Sequence, residues 1–172
     1  MIEVEVHAVL VSLVGPPRLV LLREKASPRF LPIWIGAFEA ESIAMHLQGV
    51  EMPRPLTHDL MVNLLRHLDA RLESVEVTEL RDDTFYARLN LVTAKQRLSV
   101  DARPSDAIAL AVRIGVPIYV AETVMELAGI VEEPAVYALP VPEFLAGEPG
   151  EDLDVYRDFL STLDLDKLAP SD

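Results

Sequence analysis

Residues 71–114 read RLESVEVTELRDDTFYARLNLVTAKQRLSVDARPSDAIALAVRI, and their periodicity decides the fold class. From Arg71 to Leu80, Val75 and Val77 alternate with Glu76 and Thr78, the two-residue period of a strand with one buried face. Asp82-Asp83 supplies a turn. Phe85, Ala87, Leu89 and Leu91 then alternate with Tyr86, Arg88 and Asn90 on the return. Arg97 to Asp101 adds a third strand, completing an antiparallel meander. The period then changes. Pro104 suits the first position of a helix that runs to Ile114, and Asp106 places a negative charge where the helix dipole is positive. Gly115 and Pro117 stop that helix.

Working outward, Ile2, Val4 and Val6 alternate with Glu3, Glu5 and His7, which predicts a strand over residues 2–14. Gly15-Pro16-Pro17 breaks it, and Leu19 to Leu22 returns as the second arm of a hairpin. Phe30 to Ile35 is a third short strand, in which Trp34 follows the apolar pattern of a core residue. Ala40, Ile43, Ala44 and Leu47 share one face of a helix over residues 38–47, ended by Gly49. After the loop framed by Pro53 and Pro55, Thr57 is the expected N-cap of a helix through Leu68. Leu60, Leu64, Leu65 and Leu68 form its apolar stripe. Downstream come a strand at Pro117–Val120 and a helix at Glu122–Ala128. The order β-β-β-α-α-β-β-β-α-β-α predicts an α+β fold, an antiparallel or mixed sheet layer with interspersed helices, and excludes a doubly wound sheet. From Glu132 the chain becomes proline-rich and acidic. Residues 1–130 therefore read as the domain and 131–172 as an acidic linker and tail, with a C-terminal helix over Asp154–Leu163.

A chain of 172 residues is of single-domain length. Hydrophobic residues make up 51% of it, yet no run approaches the roughly 18 apolar residues of a membrane span. Glu3 and Glu5 stand where a leader would be basic, so a cytoplasmic, non-membrane protein is expected, with its apolar excess buried between subunits. The absence of cysteine excludes disulfides, thiolate metal sites and a cysteine nucleophile. Of the net charge of −13, residues 131–172 contribute −9, from 11 acidic and 2 basic residues. The body is only mildly acidic, which leaves room for a local basic patch, although no basic run marks one.

Glycine-rich phosphate loops and the HExxH and GxSxG signatures are absent. Three polar clusters remain: Glu39 with Glu41, Arg54 to Asp59, and Asp101 to Asp106. The last two sit at helix starts, where unpaired N–H groups attract anions. Arg54, Arg103 and Ser105 are candidate phosphate ligands there. Asp101, Asp106 and Glu39 are candidate ligands for Mg²⁺ or Mn²⁺, which prefer oxygen donors and activate water. His58, with Asp59, Asp101 and Asp106, completes a candidate catalytic set, an imidazole being suited to proton transfer near neutral pH. Each residue also has a plain structural role: Thr57, Asp59 and Asp106 as caps, Asp101 and Arg103 as an ion pair. His46 and His67 have no partner at metal-ligand spacing and read as surface or half-buried histidines.

Taken together, four segments resemble the bifunctional nuclease domain family: Leu31-Pro32-Ile33-Trp34-Ile35-Gly36 with Glu39-Ala40, Arg54 to Leu60, Phe85-Tyr86-Ala87, and Asp101 to Ala111. The resemblance covers about residues 2–130, and Val155 to Leu160 resembles the C-terminal helix of bacterial members. It implies an α+β domain that self-associates, as a homodimer, and a nuclease acting on DNA and RNA. The site residues above remain inferences from polar residues within those segments. The alternative is a non-catalytic oligomeric module that regulates or binds a protein. In it the same residues serve as caps and salt bridges.

Overall fold

The computed structural model describes residues 1–11 and 18–131. Gly15-Pro16-Pro17, the acidic tail beyond Val131 and the helix predicted at Asp154–Leu163 lie outside the described residues.

Eleven elements follow in the predicted order: β1 (Ile2–Val11), β2 (Arg18–Glu24), β3 (Phe30–Ile35), α1 (Ala37–Leu47), α2 (Thr57–His67), β4 (Arg71–Arg81), β5 (Thr84–Val92), β6 (Arg97–Ala102), α3 (Pro104–Ile114), β7 (Ile118–Val120) and α4 (Glu122–Ala128). The strands form one mixed sheet in the order β3-β2-β1-β7-β4-β5-β6. It consists of two antiparallel meanders joined by three residues. Strand β7 pairs antiparallel with β1, Ile2 opposite Val120, and parallel with β4, Val75 opposite Ile118. The parallel pair needs a crossover, and α3 supplies it.

Strand β4 passes to β5 through Asp82 and Asp83, both at positive φ (48° and 56°), with Arg81 opposite Thr84. Two left-handed residues are what a two-residue hairpin on a right-twisted ladder requires. Alternating apolar residues of both meanders, among them Val20, Leu22, Leu31, Ile33, Val75, Val77 and Ala87, face helices α1, α3 and α4 in one core. Helix α3 lies at its centre, with Ala107 to Ala111 buried without interruption. On the opposite face Leu10, Leu19, Leu21 and Phe30 form a smaller cluster.

Several expectations need correction. Trp34 is 63% exposed: it shares a face with Phe30 on β3, the edge strand, and so has a strand neighbour, Leu19, on one side. Leu47 is exposed at the end of α1. On α2, Leu60, Leu64 and Leu68 are also exposed, and Leu65 alone of the predicted stripe packs on the core, with Met61 and Val62. The helix is rotated because its buried residues are His58 and Val62. A buried imidazole must be bonded, and its partners lie on α1 and α3. Thr57 is the first helical residue rather than the N-cap, which is Leu56.

Candidate functional site

His58 is 5% exposed and is bonded at both ring nitrogens. Its Nδ1 lies 2.9 Å from Ser42 Oγ on α1, and its Nε2 lies 3.1 Å from Asp106 Oδ1 on α3. Asp106 takes two further bonds from Arg103, from Nε to Oδ2 at 2.7 Å and from Nη2 to Oδ1 at 3.0 Å. Arg103 Nη2 also donates to Glu39 at 2.8 Å. On the inner side Arg113 Nη2 donates to the Ser42 hydroxyl at 2.9 Å and to its carbonyl at 3.0 Å. Arg113 Nε meets Asp59 at 2.7 Å, and Asp59 in turn accepts the Leu56 N–H at 2.9 Å. One connected chain therefore runs from Glu39 through Arg103, Asp106, His58, Ser42 and Arg113 to Asp59, stitching α1, α2 and α3 together.

Local structure explains these positions. Asp106 and Arg113 are two helical turns apart on α3 and share a face, so one meets His58 and the other meets Asp59. Asp59 reaches back to the N-cap N–H, half of a capping box; Leu56 has no side-chain acceptor for the other half. At Asp106, burial raises the carboxyl pKa, but the bonds from Arg103 and His58 and the Arg103 charge outweigh it. The net shift is downward. Asp59 behaves alike: burial raises its pKa, while Arg113 and the Leu56 N–H lower it further. Arg103 is pushed upward by Asp106 and then Glu39.

Hydrogen-bond accounting fixes the ring's orientation. The Asp106 carboxylate can only accept, so Nε2 donates to it. Ser42 Oγ accepts from Arg113, which leaves its single proton for Nδ1. Ser42, His58 and Asp106 thus reproduce the connectivity of a Ser-His-Asp triad with the two ring nitrogens exchanged. Ser42 is 8% exposed and its oxygen already accepts from Arg113, so it has no access to an acyl substrate. The outer end differs. The Arg103 side chain is 65% exposed, and its Nη1 carries no bond among the described residues, so one edge of the guanidinium faces solvent.

Of the residues predicted from sequence, Glu39, His58, Asp59, Arg103 and Asp106 come together. Ser105 is buried in the first turn of α3. Arg54 stands exposed in the loop before α2, beside a cleft of about 220 Å³ lined by Met45, His46, Met52, Asp59 and Arg113. Asp101 lies exposed on β6, opposite Arg88, with no bond to the network. Among the described residues no three His, Asp or Glu side chains converge as a metal-ligand set. Glu39 and Asp106 both hold Arg103, so as arranged Glu39, Asp101 and Asp106 do not fit Mg²⁺ or Mn²⁺. His46 bonds the Val112 carbonyl and His67 that of Asn63, both structural contacts.

Two members of the chain, Ser42 and Arg113, were not anticipated. The signals were slight: a single hydroxyl on an apolar helix face, and a cation two turns beyond Asp106. No helix among the described residues is long and apolar enough to cross a membrane.

A family model described as the bifunctional nuclease domain matches residues 20–133, a span that contains every member of the network. An uncharacterized protein of Mycobacterium tuberculosis is 47% identical over 128 residues, covering 74% of this chain and 76% of its own length. Bifunctional nuclease 1 of Oryza sativa subsp. indica is 30% identical over 105 residues, covering 59% of this chain and 32% of the rice protein. Bifunctional nuclease 1 of Arabidopsis thaliana is 29% identical over 107 residues, covering 60% of this chain and 33% of its own length.

Proposed function

The chain belongs to the bifunctional nuclease domain family, and from that premise we propose that it is a nuclease cleaving phosphodiester bonds of DNA, RNA or both. The observation that carries this reading is the family match across the Arg103–Asp106–His58 cluster, together with the names of the plant relatives. In this reading Arg103, braced by Asp106 and Glu39, presents its free Nη1 to a phosphate oxygen. Arg54 holds a neighbouring phosphate along the strand. His58 donates its Nε2 proton to Asp106 in a hydrogen bond and so positions the carboxylate that braces Arg103. Glu39 and Asp106 are both held by Arg103, so neither is free to bind a metal as arranged.

The experiment is cleavage of end-labelled single-stranded DNA and RNA by the purified full chain, in chelator and with added Mg²⁺ or Mn²⁺. Cleavage is expected from the wild type, with a loss of about 100-fold in Arg103→Ala, the scale for removing one donor to a developing anion. Cutting that survives in Arg103→Ala overturns the site. Cutting that appears only with added metal shows that the carboxylates exchange arginine for a cation.

A second reading has its own support: a non-catalytic oligomeric module. Its motivation is that Glu39, Asp59 and Asp106 are all ion-paired to Arg103 or Arg113, as structural salt bridges are. A clean wild type that cuts neither nucleic acid under any of these conditions leaves this reading standing.

A further inference from the structure

We propose that β6 is a self-association edge, pairing antiparallel with β6 of a second copy about a two-fold axis at Ser99. The seven-stranded sheet of each copy then continues into the other. This proposal does not rest on the nuclease reading.

Strand β6 ends the sheet, with β5 on one side and no described strand on the other. The opposite end is protected by Pro32 on β3, which lacks an N–H; β6 has no proline and offers its full ladder. Leu98 and Val100 stand opposite Leu91 and Leu89 of β5. The β5 pair is 7% and 6% exposed, the β6 pair 37% and 41%, so the apolar row of the core runs onto β6 and stops at solvent.

The sequence of β6 is complementary to itself. Read against its own reverse about Ser99, Arg97 falls opposite Asp101 twice and Leu98 opposite Val100 twice. Alternation places the charges and Ser99 on the outer face and the apolar pairs on the core face, as the sheet requires. A slip of one residue forces an apolar residue onto the outer face, and a slip of two loses both ion pairs. Among the described residues Asp101 has no ion-pair partner, and Arg97 reaches Glu73 at 3.4 Å from a side chain 82% exposed. Both are available to a second copy. An isologous contact of this kind closes on itself and cannot grow into a fibre.

The absence of cysteine makes the test clean. Directly opposed residues of an antiparallel pair have Cα atoms about 4.5–5.5 Å apart, within the range a disulfide spans. Oxidised Ser99→Cys is expected to run as a covalent dimer, and Thr84→Cys, exposed at the β4–β5 turn, as a monomer. In sedimentation, Asp101→Arg is expected to weaken the dimer about tenfold or more, since it places like charges opposite each other twice. Arg97→Asp combined with Asp101→Arg restores the pairing. A wild type that stays monomeric at micromolar concentration overturns the proposal. So does a dimer indifferent to Asp101→Arg in which Ser99→Cys forms no cross-link, since its interface lies elsewhere.

Discussion

At the start of α3 each charge is answered inside the domain, whereas on β6, a few residues earlier, the charges face outward. Asp106 accepts from Arg103 and His58, while the Asp101 side chain makes no bond among the described residues. Both belong to one segment, Asp101 to Asp106, which looks like a single site in sequence. The change from strand to helix at Arg103 divides it. A two-residue period leaves Asp101 on the outer face of an edge, and the helical turn carries Asp106 against His58. A motif continuous in sequence can therefore serve two surfaces, and the way to test the division is to disturb each side in turn.

The largest effect is expected from the buried side. Arg113, whose side chain is 5% exposed, holds Asp59, Ala109 and Ser42. Arg113→Ala should lower unfolding free energy by about 3 kcal/mol in urea denaturation, the scale for breaking a buried pair. An effect below about 1 kcal/mol means that the network does not support the helices. Ser42→Ala comes next, at about 1–2 kcal/mol, because it strips one partner from both Arg113 and His58. Here NMR adds a sharper readout: the Nδ1 shift of His58 should move as its bond from Ser42 is lost, while Asp106 keeps the proton on Nε2. An unchanged Nδ1 shift would mean that Ser42 does not bond the ring.

Acid probes the same side. The folded pKa values of Asp106 and Asp59 are lowered, so below the ordinary carboxylate range, near pH 4, the unfolded chain binds more protons than the folded one. The stability these groups contribute is present at neutral pH and is lost as pH falls through their folded values. The urea midpoint should therefore drop between about pH 5 and pH 3, and less steeply in Asp106→Asn. An equal slope in the two proteins removes Asp106 from the linkage. The smallest effect belongs to the other surface. Asp101→Ala should change the stability of the dilute monomer by less than about 0.5 kcal/mol. A loss comparable to that of Ser42→Ala would erase the contrast between the two regions.

Much of the architecture was legible. Two-residue alternation in β4 and β5, Asp82-Asp83 between them, and Pro104 before an apolar run specified their elements locally, without knowledge of neighbours. Burial was harder, because it depends on what covers a face. The alternation in β3 separates Trp34 from Ile33 but does not reveal that, among the described residues, Trp34 is left exposed. On α2 the leucines Leu60, Leu64 and Leu68 form the more apolar stripe, yet the stripe through His58, Val62 and Leu65 faces inward because a polar network draws His58 there. Five of the candidate site residues proved to be neighbours because the motifs that hold them sit at the starts of helices packed on one another. Ser42 and Arg113 escaped notice because a lone serine or a last-turn arginine has many commoner uses. Asp101 was grouped with Asp106 by proximity along the chain, which a change of secondary structure overrides.

Strand β7 also sets the order in which the molecule can assemble. Ile2 pairs with Val120, so the two meanders stay unjoined within the sheet until almost all of its strands have been synthesised. Contacts so distant along the chain slow folding, since the loop must close before the pairing is gained. On the ribosome β1 waits with one edge bare through the synthesis of every other element of the sheet. The three residues that join the two meanders therefore also time the closing of the sheet.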